Sequence, residues 1–116
     1  MKFVCILTTA PNLSVARKIS DGLLQNKLAA CVNLIFSVES RYAWKGKLEK
    51  SREVQLVIKT RASLFKKIEV FFKKSHPYEV PEFIQLSITR GSEAYLKWIQ
   101  TSTIFPAPGS GQVKSS

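Results

Sequence analysis

The apolar run Phe3 to Leu7, closed by the polar pair Thr8-Thr9, predicts a strand over residues 2–8 that is buried on both faces or central in a sheet. Ala10-Pro11-Asn12 breaks it, and Asn12 or Ser14 can cap a helix by accepting a free backbone N–H bond. Val15, Ala16, Ile19, Leu23 and Leu24 then recur at helical spacing; Gly22 weakens this helix and Asn26-Lys27 ends it. Residues 29–36 read as a second strand that continues, past an irregularity at Ser37, through residues 39–44. Lys45-Gly46 makes the turn. Residues 53–60 return as a third strand. Val54, Leu56 and Ile58 share one face of it, and Glu53, Gln55, Val57 and Lys59 the other.

Residues 62–74 carry Leu64, Phe65, Ile68, Phe71 and Phe72 at i, i+1, i+4, i+7 and i+8, a helical stripe. Ser75-His76-Pro77 stops this helix, because the residue before proline is pushed out of the α region. Residues 81–89 alternate Ile84, Leu86 and Ile88 with Gln85 and Ser87, a fourth strand. Gly91-Ser92 turns into a short helix over 93–101 that presents Tyr95, Trp98 and Ile99. From this pattern we expect one domain over residues 1–103 and a disordered tail over 104–116, where prolines, glycines and small polar residues collect. The order is βαββαβ plus a terminal helix. It predicts an α+β ferredoxin-like sandwich with a long β-hairpin: an antiparallel sheet with helices on one face. The uncovered face would carry Val57, Phe83 and parts of the second strand, which argues for self-association.

Composition narrows the function. The 116 residues make one domain, 45% of them hydrophobic, with 18 Lys and Arg against 8 Asp and Glu and a net charge of +10. Such a balance favours acidic partners. The one dense basic cluster, Lys66, Lys67, Lys73 and Lys74, falls on the outer side of the second helix, where a solvated face is the plain reading. Specific nucleic-acid binding is not expected, since the predicted third strand lacks the aromatic residues on which a sheet of this topology would stack bases. No segment approaches the roughly 18 apolar residues of a membrane span. The N-terminal apolar run is too short for a typical signal peptide, and the expected location is the cytoplasm. Cys5 and Cys31 are then expected as reduced thiols, and no CxxC spacing occurs. With one histidine, five scattered glycines and no nucleophile–base set, an enzyme is not expected.

Four blocks carry a family resemblance. They are Leu28-Ala29-Ala30-Cys31-Val32-Asn33, Tyr42-Ala43-Trp44-Lys45-Gly46-Lys47-Leu48-Glu49, His76-Pro77-Tyr78-Glu79-Val80-Pro81-Glu82, and Tyr95-Leu96-Lys97-Trp98. Together with Thr8-Thr9-Ala10-Pro11 and Ile58-Lys59-Thr60, in this order, they resemble the CutA family of divalent-cation tolerance proteins. The resemblance covers roughly residues 3–101. It implies a ferredoxin-like protomer in a tight homotrimer, a hairpin that reaches neighbouring subunits, and Cu2+ or another divalent cation as the bound ion with no organic cofactor. It also implies an architecture like that of PII signalling proteins, which leaves a trimeric adaptor with an unknown protein or small-molecule partner as the alternative function. Cys31 sits in the family position. Cys5 does not, because the strand-end position where some relatives carry their cysteine is Thr8 here.

The candidate metal ligands are Cys31, His76 and Glu79. Cys31 is a soft ligand or a small buried hydrophobe. His76 is a good Cu2+ ligand or the cap of a helix end. His76 and Glu79 alone are too few ligands for tight binding, and trimer symmetry could complete the set. Tyr42, Trp44, Tyr78 and Trp98 are amphipathic aromatics, suited to interface packing or to an intersubunit pocket with Glu53, Lys59 and Glu82 as polar groups.

Overall fold

The computed structural model describes residues 1–104. Strands β1 (Phe3–Ala10), β2 (Cys31–Trp44), β3 (Lys47–Arg61) and β4 (Ile84–Ile88) form one sheet in the order β2-β3-β1-β4. Every neighbouring pair is antiparallel. Helices α1 (Leu13–Gln25) and α2 (Phe65–Ser75) cover one face, and α3 (Glu93–Ser102) follows β4. This is the expected α+β arrangement. The third strand begins at Lys47, and the long hairpin is continuous apart from a bulge between Ile35 and Val38. Ser37 occupies the left-handed region there, at φ 59°, so one extra residue is absorbed without losing the register. At the tip, Lys45 and Gly46 both have positive φ, the signature of a tight hairpin turn.

Local chemistry sets the helix ends. The Asn12 side chain accepts from the Val15 N–H at 2.9 Å and starts α1. At the other end Leu28 N–H bonds Leu23 C=O and Lys27 N–H bonds Leu24 C=O, the paired closure of a Schellman motif with Lys27 left-handed at φ 55°. The stretch preceding α2 is a 3₁₀ turn, Ala62–Leu64, rather than its first α-turn.

Pairing register fixes which side chains meet the helices. Val4 and Ile6 of β1 and Val54, Leu56 and Ile58 of β3 are buried against Ala16, Ile19 and Leu23 of α1 and Ile68 and Phe72 of α2. The two helices touch at Gly22, where a Cβ would lie 2.5 Å from the Phe71 ring. Leu24, expected inward, is exposed at the helix edge.

The opposite face is bare over most of its area. Cross-strand partners point to the same side, so Cys31, Asn33 and Ile35 of β2, Gln55, Val57 and Lys59 of β3, Cys5 and Leu7 of β1, and Ile84 and Leu86 of β4 share it. Phe83 does not belong there. It packs on Phe65 and Phe72 of α2, with ring centroids 4.8 and 5.0 Å apart, because it shares the parity of Gln85 and Ser87, which pair with the helix-facing Ile6 and Val4, whereas Ile84 and Leu86 take the bare face. At one end, α3 packs against β3. The buried Arg61 guanidinium donates to the Thr103 hydroxyl at 2.8 Å, to the Thr103 carbonyl and to the Ile104 carbonyl. Ile104 N–H also bonds Lys27 C=O. The tail expected over 104–116 otherwise falls outside the described residues.

The contact at Gly22 yields a stability prediction. Gly22→Val should lower the unfolding free energy by about 1–3 kcal/mol through overpacking against Phe71. Denaturant unfolding at fixed protein concentration measures it.

Candidate functional site

The loop from His76 to Phe83 folds back over the end of β1 and the middle of β3, and three side-chain bonds, from His76 to Thr9, Tyr78 to Glu53 and Gln55 to Glu82, hold it there. His76 Nε2 lies 2.7 Å from the Thr9 carbonyl oxygen and donates to it. Its Nδ1 accepts the Tyr78 N–H at 3.2 Å. The Tyr78 hydroxyl donates to Glu53 Oε2 at 2.6 Å. Gln55 Nε2 donates to the Thr8 carbonyl at 2.8 Å and to Glu82 Oε2 at 3.3 Å. The His76 ring stacks between Phe72 and Tyr78, 5.7 and 5.0 Å away.

Against this loop the hairpin raises a second wall. Ser40, Tyr42 and Trp44 of β2 alternate onto the same side as Glu49, Ser51 and Glu53 of β3, because Ser40 pairs with Ser51 and Tyr42 with Glu49. The two walls enclose an open groove of about 1050 Å3, lined also by Arg41, Glu79, Val80, Pro81 and Glu82. Lys45 lies over the Trp44 ring, 5.7 Å from its centroid. Glu53 is buried, and its lining bond to Tyr78 is strong because the acceptor is a carboxylate. Burial first, and then the hydrogen bond to Glu53 and its charge, raise the Tyr78 phenol well above its ordinary value of 10.

Of the residues expected at a pocket, Tyr42, Trp44, Glu53, Tyr78 and Glu82 meet here, and Glu79 joins them. Lys59 does not. It lies on the bare sheet face, where it donates to Asn33 Oδ1. Trp98 is on α3 beside Tyr95, with ring centroids 5.5 Å apart. The three metal candidates do not converge within one protomer. Cys31 pairs with Lys59, and Lys59 also pairs with Cys5, so the two thiols stand on either side of Lys59, about 10 Å apart at Cα. That exceeds the reach of a disulfide. The level at which His76 bonds Thr9 is four residues further along β3, about 13 Å away. His76 uses both ring nitrogens on the main chain. Among the described residues no group of three His, Cys, Asp or Glu side chains could hold one ion. The described residues of one protomer therefore offer no three-ligand set for a divalent cation.

Reading the residues alone missed Glu49, Arg41, Ser40 and Ser51. The signal was present: stepping by two from Glu53 gives Ser51 and Glu49, and stepping by two from Trp44 gives Tyr42 and Ser40.

Comparison with known proteins identifies the family and the fold. The sequence profile of the CutA1 divalent ion tolerance protein matches residues 4–102. The chain belongs to the CutA1 family. It is 50% identical over 91 residues to the CutA homolog of Xenopus laevis, covering 78% of this chain and 60% of that one. It is 42% identical over 100 residues to the chloroplastic CutA of Arabidopsis thaliana, covering 86% and 55%. The chain thus spans a little over half the length of these CutA relatives. The crystal structure of CutA1 from Oryza sativa superposes with a TM-score of 0.87 at 38% identity, covering 89% of this chain and 94% of that one. Among the described residues of this CutA1 chain no helix is long and apolar enough to cross a membrane.

The Tyr78–Glu53 bond predicts both a stability loss and a pH effect. Tyr78→Phe should cost about 1.5–3 kcal/mol, since a buried carboxylate loses a donor. Because folding raises the Tyr78 pKa, its contribution is complete below pH 10 and declines as the pH rises beyond that value. The wild-type protein should lose stability above pH 10 more steeply than the Phe variant in parallel denaturant titrations.

Proposed function

We propose that the protein is a homotrimeric divalent-cation-binding protein of the metal-ion response, without catalytic activity. The observation that carries the reading is the concentration of carboxylates. In a chain of net charge +10 with eight acidic residues, four of them, Glu49, Glu53, Glu79 and Glu82, line one groove. Family membership supports the divalent cation. Cu2+ is the ion to test first, because sites built from oxygen and nitrogen donors bind it most tightly among the first-row divalent ions.

The trimer is supported by the bare sheet face. Ile84 and Leu86 are 50% and 51% exposed there, and Ile35 is exposed on the same face at the β2 edge. Burying each such side chain contributes about 1.5–3 kcal/mol. Beyond Val54 the hairpin has no third strand, and a two-stranded ribbon is marginal alone. A neighbouring protomer would support it and bring further ligands to the groove, making it an intersubunit site. Free Cys5 and Cys31 suit a reducing compartment, and we place the protein in the cytoplasm.

A second reading, a PII-like scaffold with a small-molecule or protein partner and no physiological metal, draws support from the Tyr42, Trp44 and Tyr78 lining and a groove volume at the upper end for small-molecule sites.

Calorimetric titration with Cu2+ and Zn2+ separates the two. The metal reading expects saturable binding that the double variant Glu79→Gln, Glu82→Gln weakens at least about tenfold, by loss of two anionic oxygen donors. Non-saturating heats from the wild-type protein, or affinity unchanged in the variant, would contradict the groove as metal site and favour the scaffold.

A further inference from the structure

The helix layer carries a second charged surface that the groove and the bare sheet face leave unused. Helices α1 and α2 follow antiparallel strands, lie side by side and touch at Gly22 and Phe71. On α2 a step of 100° per residue places Lys66, Lys67, Lys73 and Lys74 within an arc of about 120°. Val70 is near the middle of that arc and is 53% exposed. All four lysines are exposed. On α1, Arg17 and Lys18 are exposed beside Leu24, which also stands out of the core. Only Asp21 and Glu69 oppose these six cations on the two helices. The one ion pair among the described residues joins Arg41 to Glu39 on the hairpin, so no carboxylate holds the helix-layer cations.

We propose that this two-helix face docks on an anionic membrane surface. The cations would sit at the headgroup phosphates and carboxylates, and Val70 and Leu24 would dip between them. A broad face of mostly lysine side chains around exposed aliphatic residues fits a lipid surface, because long lysine stems reach the headgroups while apolar neighbours enter the interface. A nucleic acid fits less well: no exposed aromatic ring is available on α1 or α2 for base stacking. The face lies on the side of the sheet opposite the bare one, so assembly through the bare face leaves it free. Each lysine near such a surface strengthens binding about fivefold, and salt screens the effect.

Vesicle co-sedimentation tests the proposal, using the full chain. The wild-type protein should partition onto phosphatidylcholine vesicles containing about one-third phosphatidylserine at least tenfold more strongly than onto pure phosphatidylcholine, and high salt should release it. The variant Lys66→Gln, Lys67→Gln, Lys73→Gln, Lys74→Gln should lose at least about tenfold of that partitioning with an unchanged circular dichroism spectrum. A control, Lys45→Gln, Lys47→Gln, Lys50→Gln, Arg52→Gln, removes the same charge from the hairpin and should retain most of it. Equal losses in both variants would overturn the proposal, since net charge alone would then govern binding. So would indifference to anionic lipid, or tight duplex DNA or RNA binding by a protein that ignores vesicles.

Discussion

Everything in this molecule depends on the strict alternation of side chains along β3. Its even-numbered residues, Val54, Leu56, Ile58 and Thr60, are buried under the helices. Its odd-numbered residues, from Glu49 through Glu53 to Lys59, turn to the other side. A shift of one residue would exchange the two sets and put Glu53 and Lys59 in the core. The register is held from both flanks, since β1 and β2 pair with β3 over the same stretch. The bulge at Ser37 lets β2 follow the hairpin outward while keeping its partners on the correct side.

The odd-numbered side has two chemical regions that meet without a boundary. Around the half-buried Val57 and Leu7 and the exposed Ile84 and Leu86 it is apolar, the property expected of a surface that another protein chain covers. Toward the hairpin it becomes acidic and aromatic, where Glu53, Tyr42, Trp44 and Glu49 face the loop from His76 to Phe83. The loop is anchored by main-chain bonds to both nitrogens of His76 and by the Tyr78–Glu53 pair. These bonds fix the carboxylates Glu79 and Glu82 at the groove, and they give His76 a structural task within the protomer.

Much of this was legible in the residues. The period-two and period-3.6 patterns give all four strands and three helices in order, and Ser37 and Gly46 mark the bulge and the turn. Of the seven pocket candidates, Tyr42, Trp44, Glu53, Tyr78 and Glu82 line one groove. What stayed hidden depends on contacts distant in sequence. Lys59 sits near the pocket residues along the chain but four positions down the strand from Gln55, on the bare sheet face. Trp98 reads like the other amphipathic aromatics, yet α3 carries it away from the groove. Phe83 shares the parity of Gln85 and Ser87, which the pairing with Ile6 and Val4 puts on the helix side, and so it turns to Phe65 and Phe72, a choice of face that only the register with β1 decides. That both nitrogens of His76 are engaged could not be read from one histidine before a proline. The latch from Arg61 to Thr103 spans 42 residues and has no local pattern.

The central claim is that the bare sheet face is an assembly surface. The most direct measurement is the solution mass by light scattering, for the wild-type chain and for Leu86→Glu. The account predicts three times the chain mass for the wild type and a shift toward monomer for the variant, because a charge buried in an apolar interface has no partner. A wild-type monomer, or a trimer unaffected by Leu86→Glu, would contradict it.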